Sequence, residues 1–187
     1  ANRYVALEYV PGDTLADAMA AGPMGLDDAL STVHQIGCAL REAHHHQIFH
    51  RDLKPSNVIL PVDGRVRVLD FGLAKDVSLL GQSTGESDLT EGGGAPFQTM
   101  VGSVLGTPAY MAPEQWRGQA CGPAADIWAL GVVLYEAVAG KHPFPQSTVM
   151  DLKTAVTAPD RAPSLPDGPG LDREGIVDLV ARCLAKS

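Results

Sequence analysis

Between His50 and Asn57 the chain reads His50-Arg51-Asp52-Leu53-Lys54-Pro55-Ser56-Asn57, and Asp70-Phe71-Gly72 follows a short distance on. An acid placed to meet a hydroxyl proton, an amide five residues later and a second acid beyond a short hairpin suit phosphoryl transfer. That chemistry asks little covalent participation of a protein; it needs positioning and positive charge against what builds up on the transferred oxygens. Asp52 would accept or orient the substrate hydroxyl, Asn57 and Asp70 would hold Mg²⁺, and Lys54 would lie along the transferring phosphate. The competing reading makes Asp52 and Asp70 turn acids and His50 a satisfied core histidine.

These residues need a frame. Val58-Ile59-Leu60 and Val66-Arg67-Val68-Leu69 flank Asp63-Gly64, a strong hairpin signal that returns Asp70 beside Asn57. Ahead of the loop, Leu26, Leu30, Val33, Ile36 or Gly37, and Leu40 recur at helical spacing through about His46. His44, His45 and His46 read as the end of that helix and not as a metal cluster, because consecutive helical residues point in different directions. Residues 3–10 read as a strand ending at Pro11-Gly12, and Asp13 or Thr14 can cap a short helix from Leu15 to Ala20. A further helix is expected over Ala124–Ala139, with Trp128, Val132 and Tyr135 on one face and Gly140 ending it. Shorter helices are expected over Thr148–Val156 and Asp172–Lys186, separated by a Pro-rich span, 159–169. Residues 76–106 lack periodicity and are rich in Gly, Ser and Thr, which reads as a loop.

A length of 187 residues predicts one domain or a large piece of one, and 45% hydrophobic content excludes a wholly disordered chain. The net charge of −8, spread along the chain, argues against nucleic-acid binding. No apolar run approaches a membrane span. Cys38, Cys121 and Cys183 are widely spaced without a CxxC, which suits a reducing cytosol and buried, inert thiols.

Taken in order, the H-R-D-L-x-x-x-N pattern, Asp-Phe-Gly and Ala112-Pro113-Glu114 resemble the signature set of the eukaryotic-type (Hanks-type) protein kinases, in their bacterial serine/threonine form. The resemblance implies an α+β, protein-kinase-like fold: a mainly helical C-lobe with a short β-hairpin, most of the N-lobe missing. Residues 1–12 would be the last N-lobe strand and hinge. Residues 13–187 would be the C-lobe, with catalytic loop 50–57 and activation segment 70–114, truncated near its C-terminal end. It implies ATP and Mg²⁺ as cofactors, with Leu7, Glu8, Val10 and Ile59 around the adenine. Thr107 would bond Asp52, a pattern associated with Ser/Thr specificity, and Arg51 would read a phosphate on the activation segment. Thr99 and Ser103 are the regulatory candidates there, with an insertion around Gly81–Pro96. Glu114 and Arg182 would form a buried ion pair, and Asp126 would hold the catalytic-loop backbone.

The function so implied is transfer of the ATP γ-phosphate to Ser or Thr of a protein substrate, in the cytoplasm, leaving open a membrane anchor in the parent protein. Alternatives are a non-catalytic, kinase-like binding module and a small-molecule phosphotransferase. No GxGxxG loop and no V-A-I-K-like strand Lys appear, and Ala1 already opens on a strand in progress. The chain is therefore expected to be the interior of a longer protein and to transfer phosphate poorly by itself. Thr99 sits seven residues before Gly106, where related bacterial kinases carry a regulatory threonine. Thr99→Ala is expected to lower the activity of the complete enzyme; unchanged kinetics, with no phosphate found at Thr99 by mass spectrometry, would remove it from regulation.

Overall fold

The computed structural model describes residues 8–71, 108–166 and 173–186. Most of the expected strand 3–10, and the loop 76–106 with Thr99, lie outside them; residues 8–10 are not strand. In chain order the elements are β1 (Asp13–Thr14), α1 (Leu15–Ala20), α2 (Leu26–His45), β2 (Val58–Leu60), β3 (Arg67–Val68), α3 (Pro113–Trp116), α4 (Pro123–Ala139), α5 (Val149–Thr157) and α6 (Arg173–Cys183). Short 3₁₀ turns cover Pro55–Asn57 and Pro108–Tyr110.

Thr14 serves two elements. Its Oγ1 accepts from the Asp17 amide at 3.1 Å while the Asp17 carboxylate accepts from the Thr14 amide at 3.1 Å, a reciprocal cap on α1. Its backbone also belongs to β1, which pairs antiparallel with β2 in the register Thr14↔Ile59, and β2 pairs antiparallel with β3 in the register Val58↔Val68. Gly12, just before this contact, has φ +150, and a Cβ there would fall 2.7 Å from the Leu60 carbonyl oxygen. Only glycine lets the two backbones approach this closely.

Helix α2 buries Ala29, Thr32, Val33, Ile36 and Leu40; of the stripe read from its sequence Val33, Ile36 and Leu40 are buried, while Leu26 and Leu30 are half-buried. It ends in a Schellman motif: Gln47 at φ 60 gives its amide to His44 O at 2.9 Å, and the Ile48 amide bonds Ala43 O at 2.9 Å. Helix α4 departs from the expected one-faced pattern. Ala125, Asp126 and the run from Trp128 through Tyr135 are all buried, because α4 is the axis of the core, packed by α2 on one side and α6 on another. It closes at Gly140, φ 66, in the left-handed region that glycine adopts without penalty. Thr148 caps α5 by accepting from the Asp151 amide at 3.1 Å.

The three cysteines are free and half-buried, not buried as expected; burial nonetheless pushes the Cys121 and Cys183 thiols up, away from the reactive thiolate. The ion pair expected between Glu114 and Arg182 is absent. Arg182 is 77% exposed and lies 3.8 Å from Asp178 on its own helix. Ile176, Val180 and Leu184 form the buried stripe of this segment, and two residues beyond Val180 is the far side of the helix.

Helices α4 and α6 touch at Gly131, where a Cβ would sit 2.5 Å from Cys183 Cβ and 3.1 Å from Leu184 Cδ2. Gly131→Ala gains helix propensity of ~1 kcal/mol but forces two helices apart at a cost of ~1–3 kcal/mol. The expected net result is a lower urea midpoint; a raised midpoint would show that α6 yields without loss.

Candidate active site

The catalytic-loop candidates sit between the C-terminus of α2 and β2, and their backbone is held by side chains. Asp126, in the first turn of α4, is fully buried. Its Oδ1 accepts from the Arg51 amide at 2.7 Å and its Oδ2 from the His50 amide at 2.9 Å, as expected of the residue bracing this loop. A third donor, His44 Nε2, reaches Oδ2 at 2.7 Å. The first of the three consecutive histidines is thus neither a metal ligand nor a bare helix end.

Arg51 adopts φ 64, a strained conformation for a residue with a side chain. Its peptide is pinned on both sides, the amide by Asp126 and the carbonyl by Gln115 Nε2 at 2.9 Å. Gln115 Oε1 in turn accepts from the Ala112 amide at 2.8 Å, fixing the start of α3. Sequence reasoning passed over Gln115; its position three residues after the helix N-cap is that of a capping glutamine.

His50 is completely buried, and its ring joins the two halves of the site. Nε2 lies 2.8 Å from the Leu69 carbonyl, which can only accept, so Nε2 carries the hydrogen and Nδ1 accepts from the Asp52 amide at 3.3 Å. His50 is a satisfied core histidine, as the competing reading had it, and through these two bonds it also ties Asp52 to the end of the hairpin.

The Asp52 carboxylate accepts from Lys54 Nζ at 2.9 Å and keeps 32% of its side chain exposed, open to an incoming hydroxyl. Asn57 gives its amide nitrogen to the Asp52 carbonyl at 3.0 Å, and among the described residues its amide oxygen takes no donor. The Leu69 amide bonds the Asn57 carbonyl at 2.8 Å, so the hairpin does return the chain to Asn57 one residue before Asp70. Asp70 is exposed at φ 61. An amide oxygen and an exposed carboxylate fit a hard divalent cation such as Mg²⁺. Ile59 is buried in β2; Glu8 is exposed and Val10 half-buried ahead of β1. Leu7, Thr99, Ser103 and Thr107 lie outside the described residues.

On the far side of Asp52 a cavity of about 10 Å³ is lined by Arg51, Asp52, Leu53, Tyr110, Met111 and Gln115, among others. A larger groove, about 210 Å³, runs between Ala16 and Met19 of α1, Pro55, Tyr110 and Glu136. Tyr110 stands between the two, its hydroxyl donating to Glu136 Oε2 at 2.7 Å. Burial first, and then this bond to a carboxylate, push the phenol far above its ordinary pKa.

The protein kinase domain family matches residues 1–187. Among curated proteins, the serine/threonine-protein kinase PknA of Mycobacterium tuberculosis is 40% identical over 142 residues, 75% of this chain and 29% of that protein. Serine/threonine-protein kinase PrkC of Bacillus subtilis is 38% identical over 142 residues, 75% of this chain and 19% of that protein. Serine/threonine-protein kinase PknB of Mycobacterium tuberculosis is 31% identical over 185 residues, 98% of this chain and 27% of that protein. The chain belongs to the protein kinase family, and it spans under a third of the length of these bacterial serine/threonine kinase relatives.

Replacing Asp126 by alanine leaves the His50 and Arg51 amides without their acceptor. At ~1–3 kcal/mol for each unmet buried donor, Asp126→Ala is expected to lose about 3 kcal/mol of stability. A urea midpoint unchanged from the unaltered protein would show that the loop does not rely on this carboxylate.

Proposed function

We propose that this chain forms the catalytic-loop half of an ATP-dependent protein serine/threonine kinase. The observation that carries the reading is the Asp52 carboxylate, half-open to solvent and bonded to Lys54, with Asn57 tied to the backbone of Asp52. In this reading Asp52 takes the proton of a Ser or Thr hydroxyl as that oxygen forms its bond to the γ-phosphorus and the bond to the β,γ-bridging oxygen breaks. Lys54 holds the acid in place and sets its ammonium against charge on the transferred oxygens. Asn57 and Asp70 would hold Mg²⁺, which neutralises phosphate charge when bound. Ile59 floors the adenine site, with Leu7, Glu8 and Val10 beside it, and Thr107 bonds Asp52.

Arg51, Thr99 and Ser103 form the regulatory set, an arginine reading phosphate on the segment that precedes Tyr110. The substrate is a protein chain, favoured by the groove beside Pro55 and Tyr110; the net charge of −8 favours it over nucleic acid. Among the described residues no helix is long and apolar enough to cross a membrane, and a supply of ATP places the reaction in the cytoplasm.

The test is Asp52→Asn in the intact protein, with transfer from ATP measured to myelin basic protein and, separately, to an aminoglycoside. The expected result is transfer to protein only, with kcat falling by ~10²–10⁴ in the variant and KM for ATP little changed. Equal transfer by the variant would overturn Asp52 as base, and transfer to the aminoglycoside alone would replace the protein-substrate reading.

A further inference from the structure

His142 repeats, on the substrate side, the device that His50 uses in the catalytic loop. His50 accepts at Nδ1 from the amide two residues on and donates from Nε2 to a distant carbonyl, Leu69 O. His142 accepts at Nδ1 from the Phe144 amide at 3.1 Å, again two residues on, and its Nε2 lies 3.0 Å from the Ala109 carbonyl. That oxygen can only accept, so Nε2 carries the hydrogen. Nδ1 is also 3.1 Å from the Phe144 carbonyl.

The base of this tether is rigid. Gly140 closes α4 with its amide on Glu136 O at 2.8 Å, and its Cα packs on the Pro23 ring, where even a Cβ would come within 3.2 Å. Phe144 is buried and stacks on Trp128, ring centroids 5.9 Å apart and planes within 8°, with Lys186 Nζ 5.2 Å from the Phe144 ring centroid. The other end of the tether is the residue before Tyr110, whose ring meets the His142 imidazole edge-on at 5.9 Å. Tyr110 walls both the small cavity at Asp52 and the groove beside Pro55. It is therefore held twice, through its hydroxyl by Glu136 and through the carbonyl of the preceding Ala109 by His142.

We propose that His142 is a positioning residue for the protein substrate: it fixes the Ala109–Tyr110 wall against the core and so sets the width of the groove beside Pro55. The proposal rests on the kinase reading above. It assigns His142 no contact with ATP and no part in proton transfer.

The test compares His142→Ala and His142→Gln in the intact protein, with myelin basic protein as substrate. Loss of one hydrogen bond is expected to raise KM for the protein substrate about fivefold in His142→Ala, with kcat and KM for ATP unchanged. Glutamine, which offers an amide N–H at similar reach, is expected to restore KM. Nitrogen NMR of the histidine rings should show His142 protonated at Nε2. An unaltered KM in His142→Ala, or a bare Nε2, overturns the proposal while leaving the kinase reading intact. A joint fall of kcat and thermal midpoint that glutamine does not rescue also overturns it, since that marks a merely structural residue. Absence of transfer by the unaltered protein overturns the kinase reading, and this proposal with it.

Discussion

The site depends on a carboxylate that never meets solvent. Burying a charge-bearing side chain is costly unless its acceptor positions are used, and Asp126 uses them on the amides of His50 and Arg51 and on the His44 ring. What this secures is an unfavourable backbone. Arg51 sits at φ 64 and Asp70 at φ 61, conformations that cost on the order of 1–3 kcal/mol and persist only where surroundings over-determine them. At Arg51 the peptide groups on either side are held by Asp126 and Gln115. At Asp70 the preceding residue is held twice, its amide by Asn57 O and its carbonyl by His50 Nε2. Of the two acids, Asp52 thus follows a strained residue and Asp70 is itself one, each locked by groups from other segments.

Helix α4 turns these local locks into a fixed spacing. Asp126 lies in its first turn and Glu136 in its last, ten residues and so about 15 Å apart along the axis. One end holds the loop that carries Asp52; the other holds Tyr110 and, past Gly140, the histidine beneath Ala109. Because α4 is buried on nearly every face, this spacing is set by close packing and not by solvent-exposed contacts. The chemistry can then stay exposed, as Asp52 and Asp70 do, while the ruler that spaces it stays dry.

Much of this was legible in sequence because the signals were local. Most of the α2 stripe, the Asp63-Gly64 hairpin, the helix near Thr148–Val156 and Gly140 as a helix stop each follow from residues within one or two turns of each other. Motif order likewise identified the family and made Asp126 the loop brace. What escaped was set by distant partners. The two-residue strand β1 exists only because β2, some 46 residues later, lies alongside it. Helix α4 looked one-faced because its second partner, α6, is remote in sequence. Arg182 was assigned a partner by resemblance alone, and the phase of its helix, read from Ile176, Val180 and Leu184, points it outward.

Three histidines do the long-range tying, and their chemistry explains the choice. Each of His44, His50 and His142 aims Nε2 at an oxygen far away in sequence. In His50 and His142 the other nitrogen simultaneously accepts a local amide two residues on. An amide side chain can also donate and accept, but from two atoms on one carbon, so both partners must lie at the same end. Imidazole spreads donor and acceptor across a flat, rigid ring, so that one edge is fastened to the residue's own turn and the opposite edge reaches another segment. A loop tied in this way gains a cross-link that satisfies one of its own amides and a distant carbonyl at once.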